Sequence, residues 1–366
     1  MRRSLRGALL VGVLVLVASV STSAFGASAT HARVGTAHAG KLKIALSNSF
    51  IGNQWRIEME NLFKAGCNMA PYKTEVTCTV FNSGNDVGKQ TQQISDLISE
   101  HVDAIVVDAA SPAGLNGVIQ QACAHGIVVV SFDNTASAPC GQQVSVSQSQ
   151  VGQVLAKFIV AQLHGKGNVI MVTGVAGTQA DTDRNAAAKA VFAASPGIKL
   201  VRTYTGMWDS ATAQRNTAAQ LASLPTINGA WVSGGTDGVL KAFVAAGKKL
   251  PVTGGEGENG FRKFMLGYEG AKVDGASSGT PPFLSLAALE LAREIVTKQH
   301  AKSNITLPAP YVTTATVKSG TTVFPALPDS FYATFTDSGA KATVQICVAA
   351  ALTGKPCPGT LKVSLP

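Results

Sequence analysis

The sequence predicts an α/β protein whose parallel sheets form two domains. Short β-branched runs alternate with stretches whose apolar residues recur at helical spacing, the pattern of strands crossed over by helices. Eight such runs occur, enough for two sheets of four strands or more. The 366 residues are 46% hydrophobic and 14% charged, which supplies a sizeable core and argues against disorder.

The elements follow in order. Residues 1–29 read as a secretory signal peptide: Arg2, Arg3 and Arg6 form a basic start, 8–20 an apolar run, and Ala27-Ser28-Ala29 an A-x-A cleavage pattern. The run is shorter than the roughly 20 residues a membrane span needs, which disfavours the alternative of an uncleaved anchor. No cysteine marks the cleavage point, so no lipid anchor is expected. The mature chain is therefore expected in the periplasm, cell envelope or medium. No cytosolic cofactor pool exists there, which favours ligand capture over metabolism. Strands are predicted at 43–47, 75–81, 104–108, 127–132, 168–173, 199–204, 229–233 and 250–254. Val87, Thr91, Ile94 and Ile98 form one helical stripe behind an Asn85 or Asp86 cap, and Val151, Leu155, Phe158 and Gln162 begin another. A polar stretch at 144–150 marks the expected domain break. After residue 307 the pattern fades into Pro, Thr and Ser, then a tail.

Charge and cysteine content narrow the classes. Removing Arg2, Arg3 and Arg6 from the 30 basic residues leaves 27 against 21 acidic, a net +6. These are scattered without aromatic interleaving, so no nucleic-acid partner is expected. Six cysteines form three sequence-neighbour pairs: Cys67 with Cys78, Cys123 with Cys140, Cys347 with Cys357. In an oxidising compartment these are candidate disulfides, although six cysteines allow 15 connectivities and free buried thiols are the alternative. The six histidines are dispersed; no metal site and no cofactor are expected.

Ligands of open parallel sheets bind beyond the carboxyl ends of the strands. Asn53, Trp55, Asp108, Asp133, Asn134, Arg184, Trp208 and Glu256 all follow predicted strands. Carboxylates and amides accept from hydroxyls, an Arg fork donates to two neighbouring hydroxyls, and an aromatic face covers the C–H side of a sugar ring. The inventory suits a polyol. Plainer roles compete: Asp108 and Asp133 as helix caps, Arg184 paired with Asp181 or Asp183, Trp55 and Trp208 as ordinary packing. Trp231, inside a strand, is expected in the core. Two catalytic-looking motifs are discounted. Gly255–Gly260 fits G-x-G-x-x-G, but Glu256 and Glu258 would repel a pyrophosphate. Gly275–Gly279 fits G-x-S-x-G, but the one later histidine, His300, shares a predicted helix with Glu290 and Glu294.

Across roughly residues 41–314 the chain resembles the periplasmic sugar-binding proteins of ATP-driven importers, of the ribose-binding-protein type. The resemblance is carried by Ile44-Ala45-Leu46 with Ser49, Asn53 and Trp55; Asp96-Leu97 and the 105–108 strand; Ser131-Phe132-Asp133; Gly177-Thr178 with Arg184; and 254–257. It implies the type I fold of this family: two Rossmann-like lobes joined by three crossing strands, with the ligand between them. The lobes would be 41–147 with 280–311, and 148–279 with 312–366. It further implies Asn53, Asp108, Asp133, Arg184, Trp208 and Glu256 as ligand contacts, Trp55 as the opposite wall, and Asp237 in place of an amide contact. The chain departs from the ribose type at Arg56, Asn134 and Glu256. The implied ligand is therefore a sugar or polyol without further definition, and the implied partner is an ABC permease, served by a monomer without enzymatic activity. A ligand-presenting signalling receptor, with an autoinducer-like furanose for ligand, is the alternative on the same fold. A secreted hydrolase fits less well, and a DNA-binding regulator would need a helix-turn-helix where the signal peptide stands.

Overall fold

In the computed structural model, residues 40–267, 270–299, 304–336 and 344–365 are described. The proposed signal peptide lies outside them, as does His300. The chain begins with β1 (Leu42–Asn48), α1 (Gln54–Cys67), α2 (Tyr72–Glu75), β2 (Val76–Asn82), α3 (Val87–Ser99), β3 (Ala104–Asp108), α4 (Asn116–Ala124), β4 (Val128–Phe132) and β5 (Gln142–Val146). It continues with α5 (Gln148–Gln162), β6 (Lys166–Thr173), α6 (Gln179–Ala193), β7 (Gly197–Thr205), α7 (Ser210–Leu221), β8 (Gly229–Val232), α8 (Thr236–Ala245), β9 (Val252–Gly255), α9 (Asn259–Leu266) and β10 (Gly275–Ser277). Then come α10 (Leu284–Val296), β11 (Ile305–Leu307), β12 (Val312–Thr313), β13 (Val344–Gln345), α11 (Val348–Thr353) and β14 (Lys362–Val363).

Two six-stranded sheets result, in the orders β11-β5-β4-β3-β1-β2 and β12-β10-β9-β8-β6-β7. Every pairing in them is parallel except β10 with β12. Each sheet is the centre of one lobe. The chain passes between sheets at β5–α5, β10–α10 and β11–β12, so the carboxyl ends of the strands face a common cleft.

Local chemistry explains the helix starts. Asp86 accepts the backbone N–H of Lys89 at 2.9 Å and caps α3, whose Ile94 and Ile98 are buried. Ser147 caps α5 in the same way through Gln150, and Val151 and Leu155 turn into the core. Trp231 is fully buried, its Nε1–H donating to the Gly152 carbonyl at 3.1 Å. The cysteines form three pairs at disulfide distance, Cys67–Cys78, Cys123–Cys140 and Cys347–Cys357.

The tail corrects one expectation. The resemblance puts 312–366 with the second lobe, yet the last part packs on the first. Asn61 of α1 donates to the Ala351 carbonyl at 2.8 Å, and the Leu361 N–H donates to the Ala70 carbonyl at 2.9 Å. Ala350, Ala351 and Leu361 are buried in the apolar cluster that contains Leu62 and Phe63 of α1. Apolar burial, not chain order, decides where this segment lies.

Candidate functional site

The first wall of the cleft is built at the head of α1. Asn53 accepts the Arg56 N–H at 2.9 Å and caps the helix, which places Trp55 and Arg56 in its first turn. The Trp55 indole donates to the Thr280 carbonyl at 2.7 Å. The Arg56 guanidinium lies 5.4 Å from the centre of that indole, donates to Asn48 Oδ1 at 2.7 Å and pairs with Asp108. Asp108 ends β3 and is fully buried. Burial pushes its carboxyl up to about 7, although Arg56 opposes the shift.

Asp133 follows β4 with a φ of 53°. Its Oδ1 accepts from the Thr280 hydroxyl at 2.8 Å and from Gln148 at 3.3 Å, and its Oδ2 from Asn134 at 3.0 Å. Asn134 also donates to Asp108, while its own Oδ1 accepts the Ala180 N–H of α6 at 3.2 Å. It joins the two lobes.

The second wall comes from three strand ends. Thr178 caps α6, six residues before Arg184. Arg184 is 3% exposed and donates to Gln148 at 2.7 Å, to Thr280 at 3.4 Å and to the Glu256 carboxylate. Trp208, after β7, has a φ of 54° and rests on Gly174; a Cβ there would lie 2.0 Å from its Nε1. Glu256, after β9, is buried, which raises its carboxyl, while Arg184 opposes.

Asn53, Trp55, Arg56, Asp133, Arg184, Trp208, Glu256, Thr280 and Tyr332 line one inner cavity of about 20 Å³. A single water needs roughly 10–15 Å³ of such space. An outer chamber of about 220 Å³ shares Asn53, Arg56 and Trp208 and is bounded by Phe50, Thr178 and Met207.

Six of the nine sequence-selected residues therefore converge: Asn53, Trp55, Asp133, Arg184, Trp208 and Glu256. Asp108 and Asn134 stand behind them, turned to Arg56 and Asp133. Asp237 lines neither of these two cavities. It sits in the first turn of α8, and Ser210 and Lys241 each engage its carboxylate at 2.7 Å. Neither Asp108 nor Asp133 caps a helix. Arg184 ignores its helix neighbours, since Asp181 accepts from Gly174 and Asp183 from Gln179. Residues not chosen from sequence are Gln148, inside the polar stretch; Thr280, on the second crossing; Tyr332, from the tail; and Arg56, visible only as a departure from the ribose type.

The discounted motifs hold no catalytic geometry. Within the first, Glu258 Oε1 accepts the Thr236 N–H at the head of α8 at 3.3 Å. The Ser277 hydroxyl donates to the Glu256 carbonyl at 3.1 Å. Among the described residues no group of three or more His, Cys, Asp or Glu is placed to hold a metal, and no helix is long and apolar enough to cross a membrane.

The periplasmic binding protein domain matches residues 44–300. The chain is 23% identical over 268 residues to the ribose import binding protein of Bacillus subtilis, covering 72% of this chain and 85% of that one. It is 28% identical over 196 residues to the xylitol-binding protein of Mycolicibacterium smegmatis, 51% of this chain and 56% of that one. An ABC transporter solute-binding protein of Thermobispora bispora has a solved structure that superposes with a TM-score of 0.67 at 30% identity, covering 89% of this chain and 99% of that one. With its two parallel-sheet lobes and the cleft between their strand ends, the chain belongs to the periplasmic binding protein family, whose members bind solutes rather than transform them.

Proposed function

We propose that the protein captures a neutral sugar or polyol in the interlobe cleft and delivers it to an ABC import permease. The observation that carries this reading is the composition of the cavity. Arg56 and Asp133 come from one lobe, Arg184 and Glu256 from the other, and each cation already has a carboxylate beside it. An ionic ligand would leave one buried charge uncompensated, which is costly. A polyol hydroxyl can replace either partner, because it donates and accepts at once. Trp55 and Trp208 supply apolar faces for the C–H side of a ring. The ribose and xylitol named in two relatives belong to this chemical class.

The finer assignments follow from the same reading. The lobes are 41–147 with 280–311, and 148–279 with 312–336, the terminal segment lying on the first. The protein works as a monomer outside the cytoplasm, its three cysteine pairs oxidised and no cofactor bound. Arg184, Asp133, Glu256 and Asn53 hydrogen-bond the ligand; Arg56 and Asn134 hold Asp108 and Asp133 in place.

A thermal-shift screen over D-ribose, L-arabinose, D-fructose, D-allose, xylitol and myo-inositol tests the reading. A ligand at 100 times its Kd adds about 2.7 kcal/mol to stability and raises the melting temperature. Calorimetry on Arg184→Ala with the best ligand should then show affinity lower by about 30- to 1000-fold, which is 2–4 kcal/mol. No shift with any of the six, or full affinity in Arg184→Ala, would overturn it.

A further inference from the structure

The tail reaches the binding cavity. Tyr332 is 4% exposed and lines the inner cavity together with Glu256, whose charge acts on its phenol. A phenol hydroxyl donates one hydrogen bond and keeps lone pairs to accept from another hydroxyl. Burial, followed by the neighbouring Glu256, Glu258 and Glu58, raises the phenol well above its ordinary value and keeps it a donor.

Tyr332 is held from both lobes. Its backbone N–H donates to Glu58 Oε1 of α1 at 3.0 Å, and it forms a β-bridge with Glu258 at the head of α9. The flanking chain is fastened to the second lobe by Asn259 N–H to the Phe331 carbonyl at 2.7 Å, Gly260 N–H to Asp329 at 2.8 Å and Ala333 N–H to Gly257 at 2.9 Å. Lys241 and Lys263 each reach the Asp329 carboxylate at 2.8 Å. The family domain ends at residue 300, so this wall of the cavity comes from outside it.

We infer that Tyr332 is a specificity-determining residue of the site, a phenol carried into the cleft by the C-terminal segment to hydrogen-bond one hydroxyl of the captured sugar or polyol. This rests on the capture reading above. A ring that only packed would tolerate loss of its oxygen. A site built around a hydroxyl contact instead loses discrimination when that contact is removed.

Calorimetry on the full-length chain with the same six compounds, comparing wild type with Tyr332→Phe, tests it. The expected result is affinity for the best ligand lower by about tenfold, a changed ratio between ligands and an unaltered melting temperature without ligand. Ring resonances of carbon-13 tyrosine give a second readout. The chain has five tyrosines, and the signal missing in Tyr332→Phe should shift when ligand is added to wild type. Equal affinities and ratios in the two proteins, or an unmoved Tyr332 resonance, overturn the inference and leave the capture reading intact. Failure of wild type to bind any of the six overturns the capture reading and this inference with it.

Discussion

Glu58 on α1 and Glu258 at the head of α9 are buried carboxyls, and Oε2 of each lacks a hydrogen-bond partner among the described residues. Burial pushes both from an ordinary 4.5 up to about 8. Both are then neutral in the folded protein at pH 6–7 but ionised in the unfolded chain. Between pH 4.5 and 8 the folded state holds more protons, so stability falls as pH rises through that window and is fully retained only below it. The melting temperature is expected to be higher at pH 5.5 than at pH 8.5, and Glu58→Gln is expected to shrink the difference. Melting curves across this range check it, and a flat wild-type profile would count against it. At this scale the sequence exposes position more than orientation. Asn53, Trp55, Asp133, Arg184, Trp208 and Glu256 could be chosen because each follows a strand that opens on the cleft. Asp108 obeys the same rule, yet its carboxylate turns to Arg56, a rotamer set by a neighbour from another element. Gln148 and Thr280 lie on the crossings between lobes, where only the assembled fold brings them to Arg184.

Among elements, the central parallel strands β1, β3, β4 and β8 were legible because they are buried on both faces and read as apolar runs, and the edge strands β2 and β7, partly exposed, because they are rich in β-branched residues. Strands β5 and β10–β12 were not. The sequence of β5 is Gln-Gln-Val-Ser-Val, and its polar residues read as a domain break although it pairs with both β4 and β11. Strand β10 is only Gly-Ala-Ser, kept small because a Cβ on Gly275 would lie 2.9 Å from the Phe261 ring. The loop after β6 shows the same economy with a different result. A Cβ on Gly174 would meet Trp208 at 2.0 Å, so Gly174→Ala is expected to displace the indole from the cleft. Ligand affinity should fall by about tenfold or more while the core, including Trp231, stays packed. Tryptophan emission and calorimetry together check this; unchanged emission with unchanged affinity would refute it.

For the whole molecule, the inner cavity of about 20 Å³ sets a condition on function: a sugar ring enters only when the lobes part. A ligand bridging Asp133 and Arg184 favours closure by contacting both lobes at once. Small-angle scattering should therefore give a larger radius of gyration for the protein in solution alone than at saturating ligand, and an equal radius would argue against hinge closure. The two-lobe plan was legible in the alternation of strands and helices. The return of residues 344–363 to α1 was not, because that segment is short, carries no long helical or strand period and is placed by distant packing and by two hydrogen bonds to the first lobe. This return bears on how the protein is made. Asn61 meets Ala351 across 290 positions, and β11 joins the first sheet only at Ile305–Leu307. Contacts so distant in sequence form late and slow the search for the native state. The second lobe, by contrast, draws every strand of its sheet, β6 to β12, from residues 166–313. The first lobe, whose α1 face is covered only once residues 344–363 dock on it, stays open longest to chaperones or to aggregation.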